Sequence, residues 1–113
     1  MITLYGIHNC DTVKKTRKWL DNQGIAYRYH DFRKDGFERS LATHWSQSVE
    51  HSVLINKRST TWKQLSEAQK LMTDGAEFID LILEYPTLIK RPVIESNSEI
   101  FIGYNESHLE TLK

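Results

Sequence analysis

The chain has 113 residues, with 15 basic and 15 acidic side chains, and 39% of its residues are hydrophobic. A chain of this length typically forms one domain, and it contains no run of the roughly 18 apolar residues that a membrane helix needs. The balanced charge argues against nucleic-acid binding by bulk attraction. The single cysteine excludes an internal disulfide and a cysteine-based zinc site. Because the first residues lack the pattern of a signal peptide, we expect a cytoplasmic location.

The first third of the chain predicts a β-α-β unit. Residues 2–7 form an apolar run typical of a buried strand. Residues 13–23 then place apolar side chains at helical spacing and end at Gly24, a typical helix terminator. Residues 25–30 alternate in the manner of a second strand. This order predicts parallel strands joined by a right-handed crossover.

The middle of the chain predicts helices. Phe37, Leu41 and Trp45 share a helical face, which predicts a helix over about 38–47. Residues 61–64, Thr-Trp-Lys-Gln, match a capping box ahead of a short helix.

A further helix is predicted before Pro86. Asp74 with Glu77 forms a second capping signature, and the helix must stop near Tyr85 because proline follows. Its amphipathic stripe comprises Phe78, Ile79, Ile82 and Leu83.

The last third returns to strands. Residues 93–95 and 99–102 are short β-type runs around a hairpin signal at 96–98, and Asn105 can cap a closing helix. The predicted order is β-α-β, a helical insert at about 37–85, then β-β-α. We therefore expect a single α/β domain with a mixed sheet.

Cys10 lies between the first predicted strand and the first predicted helix. Residues 1–60 carry ten basic and six acidic side chains, whereas residues 61–113 carry five and nine. A helix N-terminus with a cation nearby, here Lys14, favours the thiolate, which is the reactive form of cysteine. Asp11 opposes it. Position and charge alone leave a reactive thiol and a buried structural cysteine equally open.

Three sequence blocks occur in the order of a known family. They are residues 5–15 (Tyr-Gly-Ile-His-Asn-Cys-Asp-Thr-Val-Lys-Lys), 56–62 (Asn-Lys-Arg-Ser-Thr-Thr-Trp) and 89–92 (Ile-Lys-Arg-Pro). With these blocks the whole chain resembles the arsenate reductase (ArsC) family of thioredoxin-fold proteins, and within it the short YffB-like branch, with the Spx transcriptional regulators as cousins. The resemblance implies a thioredoxin-like fold with a helical insert and a nucleophilic Cys10. It also implies Arg91-Pro92 beside that cysteine, in a position where a cis bond is plausible.

The sequence departs from the resembling proteins in three places. Arsenate reductases hold their oxyanion with a cysteine and several arginines, of which only Arg91 has a direct counterpart. Asn56 stands at a second such position, although Arg58 could substitute from nearby, and Gly103 stands at the last. Spx regulators carry a Cys-x-x-Cys switch, whereas Val13 follows at that spacing here. These departures argue against arsenate reduction and exclude an intramolecular redox switch.

The resemblance implies a glutathione-dependent thiol reductase with one cysteine. Cys10 would attack an oxidised substrate, and an outside thiol, from glutathione or glutaredoxin, would complete the cycle. We expect Lys14 and Arg91 to stabilise the thiolate, and no bound cofactor or metal. The residues expected to contact substrate or glutathione are Asn9, Thr12, Arg58 and Pro92.

Two alternatives stay open. The first is a non-enzymatic regulator that binds RNA polymerase or another protein partner, as the Spx cousins do. The second is arsenate reductase activity proper. Neither direct nucleic-acid binding nor membrane association is expected.

Several other residues have structural interpretations beside functional ones. His8 could tune the thiol, although a histidine at a strand end is typically a surface residue. The other histidines show no metal-ligand spacing. Trp45 has the spacing of a core residue, while Trp62 could stack on a ligand. Thr12 suits a helix cap better than a hydrogen bond to sulfur.

Overall fold

Four strands form one mixed sheet. The computed structural model describes residues 2–72 and 75–113. Its strands are β1 (Ile2–Gly6), β2 (Tyr27–Asp31), β3 (Val93–Ser96) and β4 (Glu99–Ile102), in the spatial order β2-β1-β3-β4. β1 and β2 run parallel, as predicted, and β3 is antiparallel to both β1 and β4. The predicted α/β class with a mixed sheet is confirmed.

Helices make up most of the rest of the described chain. They are α1 (Asp11–Asn22), α2 (Arg39–Ser48), α3 (His51–Leu54), α4 (Thr60–Gln64), α5 (Glu67–Lys70), α6 (Gly75–Glu84), a 3-10 helix (Pro86–Leu88) and α7 (Glu106–Glu110). None of the helices in the described parts of the chain is both long and apolar enough to cross a membrane.

The chain divides into two compact units. The sheet unit comprises residues 2–36 and 91–113, and the helical unit comprises residues 37–90. A single domain with a helical insert at about 37–85 stays a prediction.

In the sheet unit, α1 packs its apolar face on the sheet. Val13, Thr16 and Leu20 are the buried residues of α1, on the predicted face. The core cluster consists of Leu4, Val13, Leu20, Ile94 and Leu109, which come from β1, α1, β3 and α7. The close approach of α1 to β1 depends on Gly6, because a Cβ atom there would lie only 2.6 Å from Val13 Cγ2.

The helical unit is built around Trp45 and Phe78, which are both almost fully buried. Phe78, Leu81 and Ile82 are the buried residues of α6, whereas Ile79 and Leu83 are only partly buried. The predicted stripe on α6 was therefore right for Phe78 and Ile82 and omitted Leu81. The helix ends at Glu84, just before Tyr85, as the following proline predicted.

The cap of α4 differs from the prediction. Ser59 is the cap, since its Oγ accepts a hydrogen bond from the Trp62 N–H at 3.1 Å. The prediction of a cap at Thr61 was wrong. Thr61 lies inside α4, and its hydroxyl lies 2.6 Å from the Thr87 hydroxyl. The cap lies two residues before the predicted position, and the Thr61 hydroxyl contacts a residue distant in sequence.

Two other caps can be compared with the sequence. Asn105 caps α7 as predicted, its Oδ1 accepting from the His108 N–H at 3.3 Å. A reciprocal capping box joins Ser66 and Gln69 at the start of α5. The predicted cap at Asp74 lies outside the described residues.

Candidate active site

One edge of the sheet gathers the chemically notable residues of the sheet unit. β1 and β2 run parallel and end together, with Gly6 paired to Asp31. β3 runs antiparallel to β1 and begins beside that end, at Val93. Cys10 follows β1 after a short turn, and Pro92 directly precedes β3. The strand register therefore brings the segments containing Cys10, Asp31 and Pro92 to the same edge.

Cys10 occupies the cap position of α1. Its N–H donates to the Ile7 carbonyl at 3.1 Å, and its carbonyl accepts from the Lys14 N–H at 3.0 Å. The side chain is partly buried, packs against the core cluster of the sheet unit, and makes no capping hydrogen bond. The sulfur thus lies at the N-terminus of a 12-residue helix, where backbone N–H groups and the helix dipole favour negative charge.

Thr12 does not cap this helix, contrary to the sequence interpretation. Cys10 holds the cap position, and Thr12 lies within the first turn of α1. The Thr12 carbonyl accepts a hydrogen bond from the Thr16 hydroxyl at 2.8 Å.

A buried carboxylate supports the turn between β1 and α1. Asp31 is 1% exposed, and its Oδ2 accepts from the His8 N–H at 3.2 Å. The Nδ1 atom of His8 lies 3.4 Å from the same oxygen, while half of the His8 side chain remains exposed. Oδ1 accepts from the N–H groups of Arg33 at 2.8 Å and Lys34 at 3.3 Å. Asp31 therefore connects the end of β2 to the turn that carries Cys10.

The pKa of Asp31 lies below its ordinary value of 3.8. Burial by itself raises the pKa, because it disfavours the charged carboxylate. The hydrogen bonds from the N–H groups of Arg33, His8 and Lys34, with that of the His8 side chain, stabilise the carboxylate and outweigh burial. Asp31 is therefore a charged acceptor at neutral pH.

Tyr29, in β2, is hydrogen-bonded to this carboxylate. Its hydroxyl donates to Asp31 Oδ2 at 3.4 Å. Burial, and then the charge of Asp31, raise the pKa of Tyr29 to about 12, and the charge of Cys10 adds a smaller contribution in the same direction. Arg17 acts in the opposite direction, with its guanidinium carbon 4.1 Å from the centre of the Tyr29 ring. Tyr29 thus stays a neutral hydrogen-bond donor within electrostatic reach of Cys10.

The basic side chains of α1 have different surroundings. Lys15 Nζ lies 4.3 Å from the centre of the Tyr104 ring, and Arg17 contacts Tyr29 and donates to the Tyr27 hydroxyl at 3.1 Å. Lys14 is exposed, one helical turn after Cys10, and forms no ion pair with any described residue.

Arg91 has a guanidinium group whose hydrogen-bonding capacity is unused. Its Nε and Nη1 atoms are buried and have no hydrogen-bond partner within residues 2–72 and 75–113. Buried donors of this kind are costly unless an acceptor satisfies them. The Arg91–Pro92 peptide bond is cis, as the resemblance allowed. The Pro92 carbonyl accepts from the N–H of Gly103 at 2.8 Å, which places Gly103 at this edge as well.

The other residues predicted to contact substrate or glutathione are distributed over both units. Asn9 is exposed in the turn before Cys10. Arg58 is exposed in the helical unit, and its N–H donates to Asn56 Oδ1 at 3.0 Å. The Asn56 carbonyl accepts from the Ser59 hydroxyl at 2.8 Å, so Asn56 forms part of a tight turn.

Sequence reasoning missed Asp31 and Tyr29. One signal could have identified Asp31, because it directly follows a predicted strand that runs parallel to β1. Polar residues at the carboxyl ends of adjacent parallel strands lie at one edge of the sheet. Tyr29 carried no comparable signal, since it reads as an ordinary alternating strand residue.

These features define a class of protein. The sheet order, the cysteine at the start of α1 and the proline before β3 belong to a thioredoxin-like fold. The chain belongs to the ArsC family, whose model matches residues 5–112. The predicted family and fold are confirmed.

Individual relatives agree with this assignment. An uncharacterized protein of Haemophilus influenzae is 44% identical over 97% of this chain and 96% of its own length. The regulatory protein MgsR of Bacillus subtilis is 31% identical, over 96% of this chain and 86% of its own. The solved structure of a YFFB protein is 37% identical and superposes with a TM-score of 0.92, covering 99% of this chain and 98% of that one. Sequence similarity over nearly the whole chain thus extends to a protein named as a regulator.

Proposed function

We propose that the chain is a glutathione-dependent thiol reductase that uses Cys10 as its nucleophile. Cys10 is partly accessible and lies at the N-terminus of α1, where the helix dipole favours negative charge. Lys14 supplies an exposed cation one turn further along the helix.

The observation that carries the proposal is the state of Arg91. Two buried guanidinium nitrogens without a partner among the described residues call for an acceptor from outside the chain or for an anion at the same edge of the sheet. A thiolate and a glutathione carboxylate are both such groups, and arginine binds carboxylates in a fork geometry. Arg91 would thus stabilise charge where sulfur chemistry takes place.

The reaction proceeds in two thiol–disulfide exchanges. The Cys10 thiolate attacks the glutathione sulfur of a mixed disulfide between glutathione and a substrate, which releases the substrate thiolate and leaves glutathione on Cys10. A second glutathione thiolate then attacks that sulfur, which releases oxidised glutathione and regenerates the Cys10 thiolate. The mixed disulfide is reduced to the substrate thiol, and one glutathione thiol is oxidised, because the other half of the oxidised glutathione comes from the mixed disulfide. The external thiol is needed because the sequence contains one cysteine.

The remaining predicted residues are assigned supporting contacts. Asn9 and Thr12 flank Cys10, and Pro92 follows Arg91, so all three suit contacts to the bound glutathione backbone. Arg58 is an exposed cation in the helical unit, and its contact with substrate or glutathione stays a prediction.

Mass spectrometry after incubation with oxidised glutathione tests the proposal. We expect one glutathione adduct, on Cys10, which reduced glutathione or glutaredoxin then removes. Prior alkylation of Cys10 with iodoacetamide should prevent formation of the adduct.

Two variants separate the role of Arg91 from general charge effects. Arg91→Gln should slow formation of the adduct by about tenfold, the effect of losing one charge-assisted hydrogen bond. Lys90→Gln removes a neighbouring exposed cation and should leave the rate within about twofold. An unreactive Cys10, or equal rates in the two variants, would exclude this function.

A regulatory role is the second candidate, and one comparison favours it. MgsR, named as a regulatory protein, matches nearly the whole of this chain. Since Cys10 is the only cysteine, such a role would be constitutive binding rather than a disulfide switch. Capture of RNA polymerase by the tagged chain, unchanged in Cys10→Ser, would support this alternative.

Arsenate reduction is the less favoured activity. Gly103, which stands where arsenate reductases have an arginine, lies next to Pro92 and offers no cation at this edge. Its φ of 79° also favours glycine, so an arginine there would be strained.

A further inference from the structure

The helical unit contains a pocket with apolar walls and a basic rim. Its volume is about 240 Å³. Ile55 and Phe78 form buried parts of the wall, and His51 stacks on Phe78 with ring centres 3.8 Å apart. Trp62, which is partly buried, completes the apolar lining. The pocket is large enough for one aliphatic or aromatic side chain.

Two lysines give the rim a positive charge. The Nζ atoms of Lys57 and Lys70 lie 5.6 and 6.0 Å from the centre of the Trp62 ring. Among the described residues, Lys70 forms an ion pair with Glu67 alone, at 4.0 Å, and the Glu67 side chain is 95% exposed. Lys57 forms no ion pair with a residue of the described chain. The rim thus offers two cations with little internal compensation.

Apolar surface continues beyond the pocket. Leu71 is 79% exposed and Val53 is 48% exposed, and these are the exposed large hydrophobic residues of the described chain. Leu71 adjoins Lys70 and Val53 adjoins Ser52, both of which line the pocket. Adjacent Cα atoms are about 3.8 Å apart, so the backbone of Leu71 and that of Val53 each lie next to a lining residue. A ligand that covers them is larger than the pocket itself.

We propose that this surface binds an acidic segment of a protein partner that inserts one apolar side chain into the pocket. The apolar side chain is buried against Trp62 and Phe78, and its acidic neighbours face Lys57 and Lys70. Such an arrangement, an apolar anchor within a charged rim, is the usual anatomy of a protein interface. The two lysines beside the apolar pocket favour an acidic peptide with an apolar anchor, and an extended peptide can also reach the exposed Leu71 and Val53. This proposal is independent of the chemistry at Cys10.

Selection from a displayed library of random twelve-residue peptides, with the intact chain as bait, tests the proposal. We expect the selected peptides to share one large apolar residue flanked by Asp or Glu. On binding of a selected peptide, NMR signals of the Trp62 indole and of the amides of His51 and Ile55 should shift.

Three variants then test the contacts by affinity. Lys57→Glu should weaken the selected peptide by about tenfold, since it replaces attraction with repulsion at the rim. Leu71→Ser should weaken it severalfold, and it removes little from the folded core because Leu71 is exposed. Lys18→Glu makes the same change of charge on exposed α1 and should leave the affinity within about twofold.

Several results would overturn the proposal. They are a neutral or basic consensus, a failure to select any consensus, full affinity in either Lys57→Glu or Leu71→Ser, and an equal loss in Lys18→Glu. Tighter binding of a single-stranded oligonucleotide than of the selected peptide would also overturn it, because a basic rim beside a tryptophan can stack bases.

Discussion

Asp31→Asn tests whether the buried carboxylate stabilises the sheet unit by its charge. The substitution keeps the shape of the side chain and one oxygen acceptor. In the wild-type chain, the two oxygens accept three backbone N–H bonds, from Arg33, Lys34 and His8, at 2.8, 3.3 and 3.2 Å. If the amide oxygen faces Arg33 and Lys34, the amide NH₂ faces the His8 N–H. Both of these groups are hydrogen-bond donors, so the bond to His8 is lost.

The expected loss in unfolding free energy at neutral pH is about 3 kcal/mol. Hydrogen bonds to a charged group contribute about 1.5–3 kcal/mol each, and neutral ones about 0.5–1.5 kcal/mol. Most of the loss therefore comes from the missing bond to the His8 N–H. The rest comes from the bonds of Arg33 and Lys34, which weaken because their acceptor is no longer charged. For a chain of this length, such a loss lowers the midpoint of thermal unfolding by roughly 10 °C.

The lowered pKa of Asp31 determines how its contribution to the free energy of unfolding changes with pH. The folded pKa of Asp31 lies below 3.8, so its stabilising contribution is present above the unfolded pKa and is lost as the pH falls through the folded pKa. The difference between wild type and Asp31→Asn should therefore be largest near pH 7 and should shrink as the pH falls below 3.8.

Urea unfolding followed by circular dichroism, at a series of pH values from neutral to strongly acidic, measures this difference. Asp35→Asn is a matched control, because exposed Asp35 accepts one N–H, that of Asp31 at 2.9 Å, and an amide oxygen can replace it. We expect that control to cost under about 1 kcal/mol. A difference below about 0.5 kcal/mol for Asp31→Asn at pH 7, or one that stays constant with pH, would refute the reasoning.

Three further predictions concern packing, capping and titration. Gly6→Ala should destabilise the chain by about 1–3 kcal/mol in urea unfolding, because its Cβ would lie 2.6 Å from Val13 Cγ2. Ser59→Ala should cost about 1 kcal/mol in the same assay, because the N–H of Trp62 loses its acceptor. In an ultraviolet titration, Tyr29→Phe should remove a tyrosine with a pKa of about 12. Protonated Tyr29 favours the folded state below its ordinary pKa of 10.0, and that stability is lost as the pH rises through about 12.

Each of these has a contrary outcome and a control. Val13→Ala should restore part of the stability of Gly6→Ala, and strictly additive losses would argue against the contact. Ser59→Asn should retain the cap, so equal losses in Ser59→Ala and Ser59→Asn would contradict the capping role. If the Tyr29→Phe variant still shows a tyrosine that ionises near pH 12, the raised pKa belongs to another tyrosine.

Local signals account for what the sequence predicted well. Periodicity and hydrogen bonds within a few residues predict the strands and the positions of α1 and α6. They also predict the Asn105 cap and the placement of Cys10 at a helix start. Such interactions are determined by neighbouring residues. The error at Ser59 and Thr61 shows the limit of such signals, since two residues able to cap the helix lie only two positions apart.

The sequence by itself therefore determined the order of elements, the α/β class and the one cysteine on which the proposed chemistry depends. Only the tertiary structure decided which distant groups surround that cysteine. Asp31 is linked to the turn before Cys10 across 23 residues of sequence, and Arg91 reaches the same edge only through the antiparallel pairing of β1 and β3. The physical reason is that charge, burial and hydrogen-bond satisfaction depend on neighbours in space, which local sequence patterns do not specify.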